Sequence, residues 1–166
     1  MLTLALALLA GCGGGNGGGG GGGGGGDALS KDGFVAEANK ICREGEQKIT
    51  DVTKGSQEKV QQAKTTEEQQ KVIADVLENT AKEYDPYLAR LNGLKAPQEL
   101  SAGWDKFVGG VGDAFALIPE LADATRAGDR AKLQELTDTF TKIADDTRPF
   151  AQTNKLTDCL PDNSGA

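Results

Sequence analysis

The chain contains no histidine, a single methionine, one tryptophan and two tyrosines among 166 residues. Without histidine there is no Ser-His-Asp or Cys-His nucleophile, no HExxH zinc helix and no CxxCH haem attachment. The Glu-x-x-His ligand pairs of a di-iron bundle are excluded for the same reason. The lone methionine is Met1, which removes a methionine-rich copper site. No calcium loop of the DxDxDG kind is present, so neither a metal nor a cofactor is expected. Strand signals are missing as well, since no stretch alternates apolar and polar residues with β-branched enrichment. Basic excess is also lacking: 18 Lys and Arg face 25 Asp and Glu, a net charge of -7. Nucleic acid needs clustered basic side chains against its phosphates, so it is not an expected partner. Anionic lipid headgroups would repel the same charge weakly, so any membrane attachment must come from something other than surface charge.

What is present begins with an apolar leader. Residues 1–11 read MLTLALALLAG. They are too few to span a bilayer, which takes roughly 20 apolar residues, but they suit the h-region of a signal peptide. The run ends in Leu9-Ala10-Gly11-Cys12, which resembles the bacterial lipobox. That resemblance implies cleavage before Cys12 and a diacylglyceryl thioether on its sulfur, usually with acylation of the new amino terminus. No Lys or Arg precedes the apolar run, so a positive n-region is expected upstream of Met1. Residues 13–26 are glycine throughout except for Asn16. Glycine this dense loses the most backbone entropy on ordering and has no side chain to bury, so residues 12–29 read as a lipidated cysteine and flexible linker. A coil of that glycine run spans roughly 20 Å, enough to hold a domain off a membrane. A phosphate-binding glycine loop is the rival reading, but no strand precedes it and no GK[ST] follows.

From Asp27 onward, proline and glycine mark the breaks and apolar residues recur at helical spacing. Ser30 or Asp32 can cap a first helix whose stripe is Phe34, Ala38, Ile41, Cys42, Gly45, Ile49 and Val52. Polarity then rises through KGSQEKVQQAK, which predicts a frayed or projecting helix end, either solvated or serving as a partner-binding arm. Thr65 and Glu68 form a capping box for a second helix carrying Val72, Ile73, Val76, Leu77, Thr80, Ala81, Tyr84, Leu88 and Leu91 to Gly93. Pro86 should kink it. Pro97 is expected in the first turn of a third helix, with Leu100, Trp104, Phe107, Val108, Val111, Phe115, Ile118, Leu121 and Ala122 and a kink at Pro119. Gly109, Gly110 and Gly112 should loosen or closely pack its middle. Gly128 and Asp129 separate it from a fourth helix with Leu133, Leu136, Phe140, Ile143, Ala144 and Phe150, ending near Asn154. The expected fold is therefore all-α: an antiparallel up-down four-helix bundle over residues 30–160, with a disordered tail at 161–166.

With Cys12 lipidated, Cys42 and Cys159 remain as an even pair in an oxidising compartment. In an up-down bundle the last helix ends near the start of the first, so a Cys42–Cys159 disulfide is expected. The chain-entropy model gives such a crosslink about 4–5 kcal/mol. The competing assignment is two free thiols, with Cys42 a small core residue. The adjacent pairs Glu67-Glu68 and Asp145-Asp146 point about 100° apart on a helix and read as solvated faces rather than acid–base pairs. Tyr84, Tyr87, Trp104 and Phe107 flank the turn between the second and third helices and could line a small-molecule pocket, or could simply pack the core.

Four short motifs are shared with a known group: Phe34-x-x-x-Ala38-x-x-Ile41-Cys42, Leu94-Lys95-Ala96-Pro97, Ala127-Gly128-Asp129 and Leu156-Thr157-Asp158-Cys159. With the lipobox and tether, they resemble small helical, secreted or lipid-anchored proteins of high-GC Gram-positive bacteria. The resemblance implies a helical domain with a disulfide from its first helix to its C-terminus, in a family without an established activity. The expected function is a binding or structural module of the cell envelope, not an enzyme. Such a module would be lipid-anchored on the extracytoplasmic face and would meet an envelope protein partner. A small-molecule- or polymer-binding lipoprotein using the aromatic residues near Trp104 is the alternative, and a hydrolase with an inter-helix carboxylate site the distant one.

Overall fold

In a computed structural model of the protein, residues 29–160 are described. The expected signal peptide, the lipidated Cys12, the glycine run and the terminal tail lie outside them. The described residues form a helical bundle with no strand: α1 (Lys31–Thr53), α2 (Ser56–Gln62), α3 (Thr66–Gly93), α4 (Gln98–Ala116), α5 (Ile118–Ala127), α6 (Arg130–Thr153) and a 3-10 turn (Thr157–Cys159). These make four helical arms, the first and third of them interrupted.

Local chemistry sets each boundary. Ser30 caps α1, its hydroxyl accepting from the Gly33 N–H at 3.2 Å. One stripe of α1 is buried, Phe34, Ala38, Ile41, Cys42 and Gly45, at the helical spacing of the sequence. The first arm does not run on as a frayed end. It stops at Thr53, Gly55 turns the chain with φ +76°, and α2 starts again and packs against α3. The polar segment is therefore a docked helix rather than a projecting one, held by contact with α3 that helical periodicity alone does not reveal.

Thr65 and Glu68 form the expected reciprocal cap of α3, with Glu68 N–H on Thr65 Oγ1 at 3.1 Å and Thr65 N–H on Glu68 Oε2 at 3.3 Å. α3 then runs unbroken through Pro86 for about 42 Å at 1.5 Å per residue. The third arm starts one residue later than expected, with Pro97 as the cap residue rather than in the first turn. It is interrupted at Leu117, and Pro119 sits in the first turn of α5. A proline there has no N–H for the Phe115 carbonyl, which is why the helix breaks at this point.

α4 lies close against α6 where glycines allow it. A Cβ on Gly103 would collide with the Phe150 ring, and one on Gly110 with the Thr147 methyl. Gly109 faces open space, so of the three mid-helix glycines Gly110 makes the closest packing.

The core gathers Phe34, Ile41, Leu91, Trp104, Phe107 and Leu156, with Phe34, Leu91 and Leu156 fully buried. Each contributes roughly 2–3 kcal/mol by removal of its apolar surface from water. The fourth stripe departs from expectation. In α6 only Leu136 and Ala151 are buried, and Phe140 is 40% exposed. α6 packs against α4 and α5, and Phe140 lies on a part of its stripe that stays open to solvent.

Candidate functional site

The C-terminal lock is built from the end of α6 and one face of α1. α6 closes in a Schellman arrangement: the Leu156 N–H reaches the Ala151 carbonyl at 2.9 Å and the Lys155 N–H the Gln152 carbonyl at 3.3 Å. That geometry puts Lys155 at φ +58°, a left-handed position usually taken by glycine. α5 ends in the same way with Gly128 at φ +65°. Two hydrogen bonds from one side chain hold the bent segment: Asn39 Nδ2–H donates to the Lys155 carbonyl at 2.9 Å, and the Asp158 N–H donates to Asn39 Oδ1 at 3.1 Å. Arg43 adds a 2.6 Å ion pair to Asp158. Leu156 fills the space beneath, fully buried. Cys159 thereby meets Cys42, and the two form a disulfide with a Cα–Cα distance of 5.0 Å. The free-thiol alternative does not hold, and the expected pairing does.

The aromatic residues divide into two groups. Phe34 meets Trp104 edge-on at 4.8 Å, Trp104 stacks on Phe107 at 5.6 Å, and Phe107 reaches Phe150 at 5.9 Å. Trp104 and Phe107 are each 2% exposed and belong to the core. Tyr84 instead stacks on Phe115 at 4.0 Å and tilts against Tyr87 at 5.9 Å. Burial pushes the Tyr84 hydroxyl up to about 12, with the Glu46 carboxylate adding to the effect. Tyr87 is half-buried and lies 5.8 Å beneath the Arg90 guanidinium. Of the four residues singled out in the sequence, Trp104, Phe107 and Tyr84 are buried in the interior and Tyr87 packs half-buried beside them.

At the opposite end, charge binds α3 to α5. Arg126 reaches Glu78 at 2.7 Å, Asp75 at 3.3 Å and Asp123 at 3.2 Å, while Lys71 reaches Asp75 at 3.3 Å. The hydrogen bond from Arg126 lowers the pKa of Glu78. For Asp75 partial desolvation opposes ionisation most strongly, but hydrogen bonds from Arg126 and Lys71 outweigh it and the pKa falls. Both carboxylates are therefore ionised acceptors rather than a proton donor and its base. The side-chain oxygen of Thr80, further along α3, is buried without a hydrogen-bond partner.

Two hollows flank this end. One, of about 140 Å³, is lined by Val52 of α1, Lys54 just after it, Ser56 and Lys59 of α2, and Val72, Asp75, Val76 and Asn79 of α3. The other, of about 300 Å³, lies between α5 and the start of α6, and Glu120, Asp123 and Asp129 make it acidic. Its lysine, Lys132, is already held by Glu120 at 3.3 Å and Glu135 at 3.1 Å. The polar stretch KGSQEKV gave no sign of the first hollow, because its valine wall comes from α3. Among the described residues no cluster of potential metal ligands occurs, and no helix is long and apolar enough to cross a membrane.

No protein-family model, no curated protein and no solved structure matches the chain.

Proposed function

We propose that the chain is a lipid-anchored module of the cell envelope, held to the extracytoplasmic face of a membrane through Cys12, with a binding or structural role and no catalysis. The observation that carries this reading is the Cys42–Cys159 disulfide, because such crosslinks form and persist in oxidising compartments outside the cytoplasm. The sequence supports it with a lipobox at the end of an apolar leader and a glycine run entering α1. The resemblance to small lipoproteins of high-GC Gram-positive bacteria belongs to the same proposal.

The proposal includes an antiparallel up-down order of the four arms. It is supported by the ion pairs between α1 and α3, Glu44 with Arg90 at 2.6 Å and Lys48 with Glu83 at 2.9 Å. As numbering rises along α1, the partner's number falls along α3, as antiparallel neighbours require. A ligand site on Tyr84, Tyr87, Trp104 and Phe107 draws no support from side chains spent on internal packing. A hydrolytic carboxylate pair draws none from Glu44, Glu83, Asp75 or Glu78, each of which is held by a cation on another helix.

The test is the unreduced intact mass of the protein extracted from membranes of a host that processes lipoproteins. The expected species starts at Cys12, carries lipid and is two hydrogens lighter than its dithiol form. Cys12→Ser should move the protein to the soluble fraction. An unlipidated mass retaining residues 1–11 would overturn the anchor.

A further inference from the structure

The 140 Å³ hollow between α2 and α3 has a lining that folding alone does not explain. Its size is on the order of the ~150 Å³ that accommodates a benzene-sized molecule. Val72, Asp75, Val76 and Asn79 share one face of α3, and Val52 joins the valines from α1. All three valines are half-buried.

The charges around them are unevenly matched. Asp75 already receives Arg126 at 3.3 Å and Lys71 at 3.3 Å, so its negative charge is engaged elsewhere. Lys54 and Lys59 pair with no carboxylate among the described residues, and the side chains of Ser56 and Asn79 have no partner there. The hollow is thus bordered by two lysines and two polar side chains without partners, beside three half-buried valines.

We propose that this hollow binds a small aliphatic carboxylate. Its head would accept charge-assisted hydrogen bonds from Lys54 and Lys59, with Ser56 and Asn79 as further donors. Its tail would cover Val52, Val72 and Val76, which a bare oxyanion would leave unused. The site is independent of the lipid anchor, so either proposal can fail without the other.

The test is an amide-resolved NMR titration of the full chain in non-ionic detergent at low ionic strength, with sodium valerate, acetate and inorganic phosphate as probes. Valerate should give saturable shifts confined to residues 52–59 and 72–79, and should bind roughly tenfold more tightly than acetate through its extra methylenes. Lys54→Gln with Lys59→Gln should weaken valerate about tenfold, the cost of losing charged donors. Val72→Thr should narrow the gap between valerate and acetate while leaving acetate binding in place. Shifts spread over the whole domain, equal binding of acetate and valerate, or phosphate binding more tightly than valerate would each overturn the proposal. Undiminished binding by the lysine variant would do the same.

Discussion

The two ends of this bundle differ in the balance of forces that hold them. At the disulfide end, Phe34, Leu91 and Leu156 are fully buried, Trp104 and Phe107 nearly so, and a crosslink joins α1 to the terminal turn. At the Arg126 end, Val52, Val72, Ile73, Val76 and Leu77 are only half-buried, α2 buries no residue at all, and ion pairs bridge the helices. Burial of apolar surface is nearly insensitive to pH, whereas exposed ion pairs are worth little and are screened by salt. One end is thus a rigid clamp and the other an adjustable surface. Binding surfaces and mobile segments are drawn from regions of low local stability, and the uncommitted lysines lie in that half.

The contrast can be broken most forcefully at the crosslink. Replacing Cys42 and Cys159 together by alanine should cost about 4 kcal/mol in urea unfolding, with hydrogen exchange accelerating first around the terminal turn. Next in size, Leu91→Ala should cost about 3 kcal/mol, while Leu77→Ala, half-buried toward the other end, should cost about half as much. Equal losses would mean that the two ends form one cooperative core. Thr80→Val should stabilise by about 1 kcal/mol, because it removes a buried hydroxyl without a partner. Lys155→Gly should add about 0.5 kcal/mol in thermal unfolding, since φ +58° costs a residue with a Cβ and costs glycine little.

The smallest effect is the one that depends on pH. The folded-state pKa values of Asp75 and Glu78 lie below their ordinary values. Their stabilisation is therefore present above the ordinary carboxylate range and is lost as pH falls through the lowered values. Arg126→Gln should be less stable than the parent at neutral pH, and the difference should vanish in acid. A difference that persisted in acid would show that Arg126 acts through packing of its stem rather than through its charge.

Much of the clamp was legible in the sequence, because its signals are local or countable. Thr65 and Glu68 announce a cap by spacing, the stripe from Phe34 to Cys42 announces a buried face, and two cysteines left after Cys12 announce a pair. The adjustable end was much less so. Gly55 sits in a polar stretch where one glycine does not distinguish a turn from a fraying end. Phe140 falls at a core spacing, yet it is 40% exposed, because spacing along one helix does not say which part of its stripe a neighbour covers. Lys155 carries no trace of its left-handed backbone, since the three bonds that demand it come from Asn39, Ala151 and Gln152. The hollow beside Lys54 and Lys59 needs three separate elements before it exists.

The crosslink also governs how the domain bears a load. A pull applied at Leu29 can peel only the turns of α1 that precede Cys42. There the covalent bond divides the tension between the remainder of α1 and the turn below α6, so two helices resist in parallel. A pull on the Arg126 end would therefore distort that end first, well before the crosslinked seam gave way.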